Sequence, residues 1–207
     1  RRTCQPVGLP HHQEDPLIVY FSVDVEASGP VPGLYNLVSI GAVPVVGEAG
    51  RWRPADDRFY VELRPVVAGF DPEAMAVHGI SRRHLEQHGV EAGEAMRRLT
   101  AFVEERARGA RAVFVGHNVG FDWSYVSYYY AACGLPNPFG YKSLDIKSLA
   151  MGRLGIDWFQ TSKEHLEKHL PGVPAQDASQ THRADYDALY QAWLLCALLN
   201  RAPGAAA

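Results

Sequence analysis

The stretch Leu17-Ile18-Val19-Tyr20-Phe21-Ser22-Val23-Asp24-Val25-Glu26 decides how the rest of the chain is read. From Leu17 to Val25 it is dominated by β-branched and aromatic side chains, which predicts a strongly buried strand. Asp24 and Glu26 close that strand two residues apart, so both carboxylates face one spot bordering a buried region. Paired carboxylates repel unless one keeps a proton or a cation bridges them. Taken alone, Asp-x-Glu reads equally well as the polar end of a strand entering a turn.

Downstream, Leu37–Val46 predicts a second strand, with Gly41 and Pro44 arguing for a bulge or an edge toward its end. Arg58–Leu63 alternates and predicts a third, with turns at Gly33 and Gly50. The period then changes. Met96, Leu99, Phe102 and Val103 lie at helical spacing within Gly93–Arg108. A short strand over Arg111–Val115 ends at Gly116, and a helix over Phe121–Ala132 is closed by Gly134 and Pro136. Tyr141–Leu144 predicts a fifth strand, followed by a helix over Ile146–Leu154 capped by Asp145. A capped helix over Ser162–Leu170 stops at Pro171, and a long apolar helix over Arg183–Asn200 closes the chain. Strands in succession, then strands alternating with helices, predict an α/β fold with one helix-covered sheet. With no linker, repeat or low-complexity block, residues 17–200 read as one domain between an irregular arm (1–16) and a flexible tail (201–207).

Composition narrows the class. The 207 residues are 47% hydrophobic and 21% charged, which argues against a disordered or fibrous chain. No apolar run approaches the roughly 20 residues needed to span a bilayer. Arg1-Arg2 is not followed by the apolar stretch of an export signal. Three scattered cysteines (Cys4, Cys133, Cys196) favour reduced thiols and a cytoplasmic location. A net charge of -3 excludes a polycationic nucleic-acid binder, so any such contact must be local or carried by metal ions.

Two more acidic clusters stand where strands give way to helices. Gly116-His117-Asn118-Val119-Gly120-Phe121-Asp122 places Asp122 in the first helical turn beyond a strand's carboxyl end, where ligands of open α/β sheets gather. A dipole-matched acid at a helix start would look the same. Thr181-His182-Arg183-Ala184-Asp185-Tyr186-Asp187 opens the last helix. At about 100° per residue, Asp187 shares a side with Gln191, Leu194 and Leu198, whereas Asp185 points about 160° away. A carboxylate on the buried stripe needs a partner, and a divalent cation is the strongest available. His182, just before the helix, is free to project over the same place.

In this order, Asp-x-Glu, a mid-chain helix-opening Asp, then His-x-Ala-x-x-Asp, the chain resembles the DEDDh branch of the DnaQ-like 3'-to-5' exonucleases, essentially from Leu17 to Leu199. The matching residues are Asp24, Glu26, Asp122, His182 and Asp187. Phe70-Asp71-Pro72-Glu73-Ala74 through His78-Gly79-Ile80 looks like a further family segment. Asn137-Pro138-Phe139 with Leu144-Asp145-Ile146-Lys147-Ser148-Leu149-Ala150 looks most like the ribonuclease T-like members.

The resemblance implies a ribonuclease H-like fold, a mixed five-stranded sheet flanked by helices. It implies hydrolysis of single-stranded RNA or DNA from the 3' end to nucleoside 5'-monophosphates with two divalent ions, Mg²⁺ or Mn²⁺. By that resemblance Asp24 bridges both ions, Glu26 and Asp187 hold the first, Asp122 acts on the second through water, and His182 is the general base. Hard cations prefer carboxylate oxygen, so the residue types suit the chemistry. Phe121 matches a base-stacking phenylalanine, and Glu73 and His78 align near the terminal nucleotide. Pro30, Val77 and Tyr141 replace phenylalanines of the ribonuclease T-like members, which removes the basis for assuming their terminal-base preference. Arg82, Arg83, Arg97 and Arg98 are further candidates for strand contact. A homodimer is also implied.

Four other readings compete. The fold could serve as a catalytically inactive nucleic-acid-binding module, although all five signature residues are present. It could be a polymerase-associated proofreading exonuclease. His165 and His169 lie four apart on a helix, but lack the His-Glu-x-x-His order of a zinc hydrolase. Cys4, His11 and His12 could meet only in the irregular arm. No glycine-rich nucleotide fingerprint or phosphate-binding Walker loop is present.

Overall fold

The structure, a computed structural model, describes residues 18–48 and 50–201. The predicted arm, Cys4, His11 and His12, and all of the predicted tail except Arg201 lie outside the described residues.

Six strands form one mixed sheet: β1 (Ile18–Ala27), β2 (Leu37–Glu48), β3 (Arg51–Pro54), β4 (Phe59–Glu62), β5 (Arg111–Gly116) and β6 (Ser143–Asp145). Their order is β3-β2-β1-β5-β6, with β4 also pairing β2. β1 runs antiparallel to β2 and parallel to β5, and β6 runs parallel to β5. The helices are α1 (Pro72–His78), α2 (Arg82–His88), α3 (Ala92–Ala107), α4 (Gly120–Ala132), α5 (Ile146–Leu154), α6 (Lys163–His169) and α7 (Ala184–Leu199), with a 3₁₀ turn at Trp158–Thr161.

Two apolar layers cover the sheet. Phe21, Val23 and Ile40 are buried with Met96 and Leu99 of α3 and Tyr125 and Tyr129 of α4. Val43, Val45 and Val115 are buried with Ile146 of α5 and Leu194, Leu195 and Leu198 of α7. α7 is apolar nearly all round, as suits a helix enclosed by sheet and neighbouring helices. Where a buried tyrosine reaches backbone, its hydroxyl is satisfied: Tyr125 donates to the Gly29 carbonyl (2.6 Å), and Tyr129 accepts from Leu37 N–H (2.9 Å).

The predicted strands are present, with a sixth, β3, that the sequence reading passed over. Arg51–Pro54 is too short and too charged to signal a strand, and pairing with β2 across the Gly50 turn creates it. Gly41 and Pro44 mark neither a bulge nor a sheet edge. β2 pairs continuously with β1 through both residues, and the bulge falls at Glu26/Ala27. Pro44 instead sits where the outer partner of β2 changes from β4 to β3. At Gly41, a Cβ would lie 2.1 Å from the Ala184 carbonyl, so the missing side chain lets α7 begin directly against β2. Since Gly41 pairs with Asp24, this contact brings the start of α7 beside the first acidic residue.

Candidate active site

Asp24 and Glu26 end β1, and parallel pairing with β5 sets Ser22 opposite Val115, so both strands finish side by side. The loop leaving β5 turns into α4 and delivers Asp122, whose Oδ1 accepts the Val25 N–H at 3.0 Å. α7 delivers Asp187 from the sheet's other face. Its Oδ2 accepts the His182 N–H at 2.6 Å, and its Oδ1 accepts from Lys163 Nζ at 2.9 Å. His182 adopts a positive φ of 64°, in the left-handed region, which bends the chain into the start of α7. The result is a hollow of about 400 Å³ lined by Asp24, Glu26, Asp122, Asp187, His182, Phe121, Lys163 and Gln191 among others.

Asp24, Glu26, Asp122 and Asp187 meet in this hollow, with Glu164 also on its wall, and Glu26, Asp122 and Asp187 are buried. Desolvation, reinforced by Asp187 and Asp122, pushes Glu26 up to about 8. Burial raises Asp122 to about 7 against the opposing hydrogen bond from Val25. Asp24 is raised well above the carboxylate range, first by desolvation and then by Asp122. At neutral pH the protein alone does not keep all four ionised. Ligand atoms of Glu26, His182 and Asp187 lie within 4.8 Å of one another. The carboxylate oxygens of this hollow, lacking enough internal positive charge, fit divalent cations.

Two residues at the centre escaped the sequence reading. Lys163 opens α6 and is the cation facing the acids. Burial pushes its ammonium down, but Asp24 and Asp187 outweigh this and raise it overall. Gln191 donates to Asp24 Oδ1 at 2.5 Å and accepts the His117 N–H at 2.9 Å, tying β1, α7 and the loop after β5 together. The only sequence signal was that Gln191 shares the Asp187 side of α7. Asn36 acts further out. Its Oδ1 accepts from Val66 and Val67 N–H and its Nδ2 donates to the Val67 and Gly69 carbonyls, anchoring the segment before α1.

That segment frames a second hollow of about 460 Å³, lined by Glu26, Ala27, Gly29, Pro30, Asp71, Glu73, Ala74, Val77 and Phe121. Glu26 and Phe121 border both hollows. Phe121 is 37% exposed there, so it is not the core residue that a helix start would also allow. Glu73 lines the second hollow. His78 lines neither, although it lies close enough to His182 to feel its charge. Its Nδ1 accepts the Ile80 N–H at 3.1 Å, and burial lowers its pKa, so it helps hold the end of α1 as a neutral ring.

Tyr141 is not brought to the site. Ser143 pairs with Phe114 and Asp145 with Gly116, so Tyr141 precedes β6 at the opposite end from the carboxylates, 83% exposed. Asp185 is turned away from the hollow, as the helical angle required, but is buried against Arg183 (3.1 Å) with Arg58 at 3.9 Å. Arg97 and Arg98 pair with Glu94, and Arg82 with Glu86, on exposed helix faces. His165 and His169 stack at 4.3 Å on α6, with His169 Nδ1 against the His165 carbonyl, and among the described residues they belong to no candidate metal cluster. No described helix is long and apolar enough to cross a membrane.

Comparisons with known proteins agree with this geometry. The nuclease domain of 3'hExo, described as a DEDDh family member bound to rAMP, superposes with a TM-score of 0.69 at 12% identity, covering 86% of this chain and 90% of that one. Escherichia coli exonuclease I in complex with a dT13 oligonucleotide gives 0.66 at 18% identity, covering 89% of this chain but 41% of exonuclease I. These likenesses establish the ribonuclease H-like fold of DEDDh nucleases. In sequence, the chain is 36% identical over 177 residues to the 3'-5' DNA exonuclease Cap18 of Escherichia coli, covering 85% of this chain and 89% of Cap18. It is 30% identical over 184 residues to ribonuclease T of Yersinia pestis, covering 86% and 83%. Residues 19–199 match the model of the Rv2179c-like 3'-5' exoribonuclease domain. The chain therefore belongs to the Rv2179c-like family of 3'-5' exoribonuclease domains, and it is a 3'-5' exonuclease.

Proposed function

We propose that this enzyme shortens single-stranded nucleic acid one nucleotide at a time from the 3' end, releasing nucleoside 5'-monophosphates with the help of two divalent ions, Mg²⁺ or Mn²⁺. The observation that carries the reading is the convergence of Asp24, Glu26, Asp122 and Asp187 on one hollow, where burial and mutual repulsion hold Asp24, Glu26 and Asp122 above their ordinary range. Asp24, Glu26, Asp122 and Asp187 would hold the ions, which supply Lewis-acid polarisation of the phosphate and stabilise the attacking and leaving oxygens. His182, exposed at the mouth of the hollow, takes the proton from the attacking water as its oxygen bonds to phosphorus. The bond from phosphorus to the 3'-oxygen of the preceding nucleotide breaks, and the phosphate stays with the released nucleotide. The His182 N–H donated to Asp187 fixes where the imidazole starts.

The second hollow receives the terminal nucleoside, with Phe121 offering its exposed ring and Glu73 an acceptor for sugar or base. Pro30 and Val77, which replace phenylalanines of the ribonuclease T-like members, line it as compact apolar surface, so Phe121 is the aromatic ring it offers a base. The relatives' names cover both RNA and DNA. The test is a time course on 5'-labelled single-stranded RNA and DNA of one sequence, with Mg²⁺, Mn²⁺ or EDTA. A ladder shortening from the 3' end, abolished by EDTA, is expected. Internal fragments, or equal cutting in EDTA, overturn the reading.

A further inference from the structure

The 3₁₀ turn beside the acidic hollow displays apolar surface that the chain's own packing does not use. Phe159 is 91% exposed and Trp158 is 45% exposed. Their backbone is nonetheless held firmly. Asp157 Oδ1 accepts from the N–H groups of Phe159 (2.9 Å) and Gln160 (3.3 Å), while Gln160 Oε1 accepts the Asp157 N–H (3.1 Å), a reciprocal capping box. Buried Thr161 donates its hydroxyl to the Trp158 carbonyl at 2.6 Å, and its own carbonyl meets His117 Nε2 at 2.8 Å. His117, Lys163 and Glu164 all line the acidic hollow, so the turn is continuous with its wall. Lys147 lies over the Trp158 ring, with Nζ 3.9 Å from the centroid, adding positive charge to the face.

Resting on the exonuclease reading above, we propose that Trp158 and Phe159, with Lys147, form a stacking platform for the nucleotides of the single strand on the 5' side of the scissile bond. The acidic hollow meets the terminal-nucleoside hollow at Glu26 and Phe121, and meets this turn at His117, Lys163 and Glu164. A strand with its end in the terminal-nucleoside hollow and its phosphate at the carboxylates therefore continues toward the turn. Aromatic faces stack any base without reading sequence, and a nearby lysine favours the backbone's negative charge. The rings are held in place before the strand arrives, so little conformational freedom is lost on binding.

The test compares a single-stranded oligonucleotide of about 12 nucleotides with a dinucleotide, by KM in active enzyme and by tryptophan fluorescence titration in an Asp187→Asn background. Each stacked base contributes about 5- to 150-fold, so Trp158→Ala plus Phe159→Ala should cut the affinity advantage of the long strand by at least about 5-fold. Phe159→Tyr should retain that advantage where Phe159→Leu loses it. Lys147→Met should flatten the salt dependence of long-strand binding. Equal weakening of both substrates, or no change in their ratio, overturns the platform. So does a shift from dimer to monomer by light scattering in the double variant, which would assign the face to a second copy of this chain. If the unsubstituted enzyme shortens neither substrate, the exonuclease reading fails. If it shortens both and the double variant keeps the full length advantage, only the platform fails.

Discussion

The two ends of α7 border hollows of opposite character. At its start, the 400 Å³ acidic hollow gathers Asp24, Glu26, Asp122, Asp187, Glu164 and Lys163. At its end, a larger hollow of about 800 Å³ is lined, among the described residues, by Arg51, Trp52, Arg53, Trp193, Cys196 and neighbours that include no carboxylate. Arg153 donates to the carbonyls of Leu198 (3.1 Å), Leu199 (3.2 Å) and Arg201 (2.9 Å), and Asn200 exchanges hydrogen bonds with the Trp52 backbone. Size alone does not single out the acidic end. What distinguishes that end is buried charge that the fold leaves only partly compensated, the condition under which binding a cation releases the most energy.

The sharpest way to break this comparison is to remove one acid. Asp187→Asn or Asp24→Asn should lower the exonuclease rate by at least about 10²–10³-fold, since each takes away electrostatic support for the reacting phosphate. Circular dichroism should show the fold intact, because relieving carboxylate repulsion offsets lost contacts. Asp185→Asn, outside the hollow, should stay within several-fold of the unsubstituted rate. Loss at Asp185 with retention at Asp187 would reverse the assignment.

His182→Ala should lower kcat by about 10²–10⁴-fold, the span of general acid–base catalysis. Calorimetric titration should find divalent-metal affinity little changed. Full rescue by excess Mn²⁺ would make His182 a ligand instead.

A third test weighs the internal cation against the acids. Lys163→Met removes the charge paired with Asp187 and should cost the metal-free protein about 3 kcal/mol or less, because the carboxyls can take up protons. Added Mg²⁺ should then raise Tm more than it does for the unsubstituted chain. The pH dependence has a definite sign. Glu26 titrates near 8 in the fold against an ordinary 4.5, so the unfolded chain loses this proton first. Metal-free stability should fall as pH rises from about 4.5 to about 8, and bound divalent metal should remove or reverse that trend. Thermal melts across this range, with Mg²⁺ or EDTA, read both effects. A metal-free protein that gains stability over the same window would contradict the buried-acid picture.

The smallest effect belongs to the far end of α7. Arg153→Ala should lower stability by about 1–2 kcal/mol through lost capping of the helix carbonyls and leave kcat unaltered. A large rate loss there would show that the two ends are coupled along the helix.

Much of this molecule was legible residue by residue. The strand that ends in Asp24 and Glu26, the Asp145 and Ser162 caps, and the opposite orientations of Asp185 and Asp187 all follow from periodicities of two or 3.6 and from turn chemistry. The burial of Asp185 was not foreseen, because its partner Arg58 comes from a segment beside the distant β4. Tyr141 was misplaced for a related reason. A residue's position along a parallel strand depends on register, and only the pairing of Ser143 with Phe114 shows which end of β6 faces the site.

The sequence by itself determined which segments become strands and helices, and which acids stand at their ends, since those choices rest on interactions spanning a few residues. Only the tertiary structure decided what surrounds those acids: Lys163 reaching Asp187 across 24 positions and Gln191 reaching Asp24 across 167. Charge–charge and desolvation energies depend on distance in space and on the dielectric of the surroundings, and neither is written in the spacing of residues along the chain.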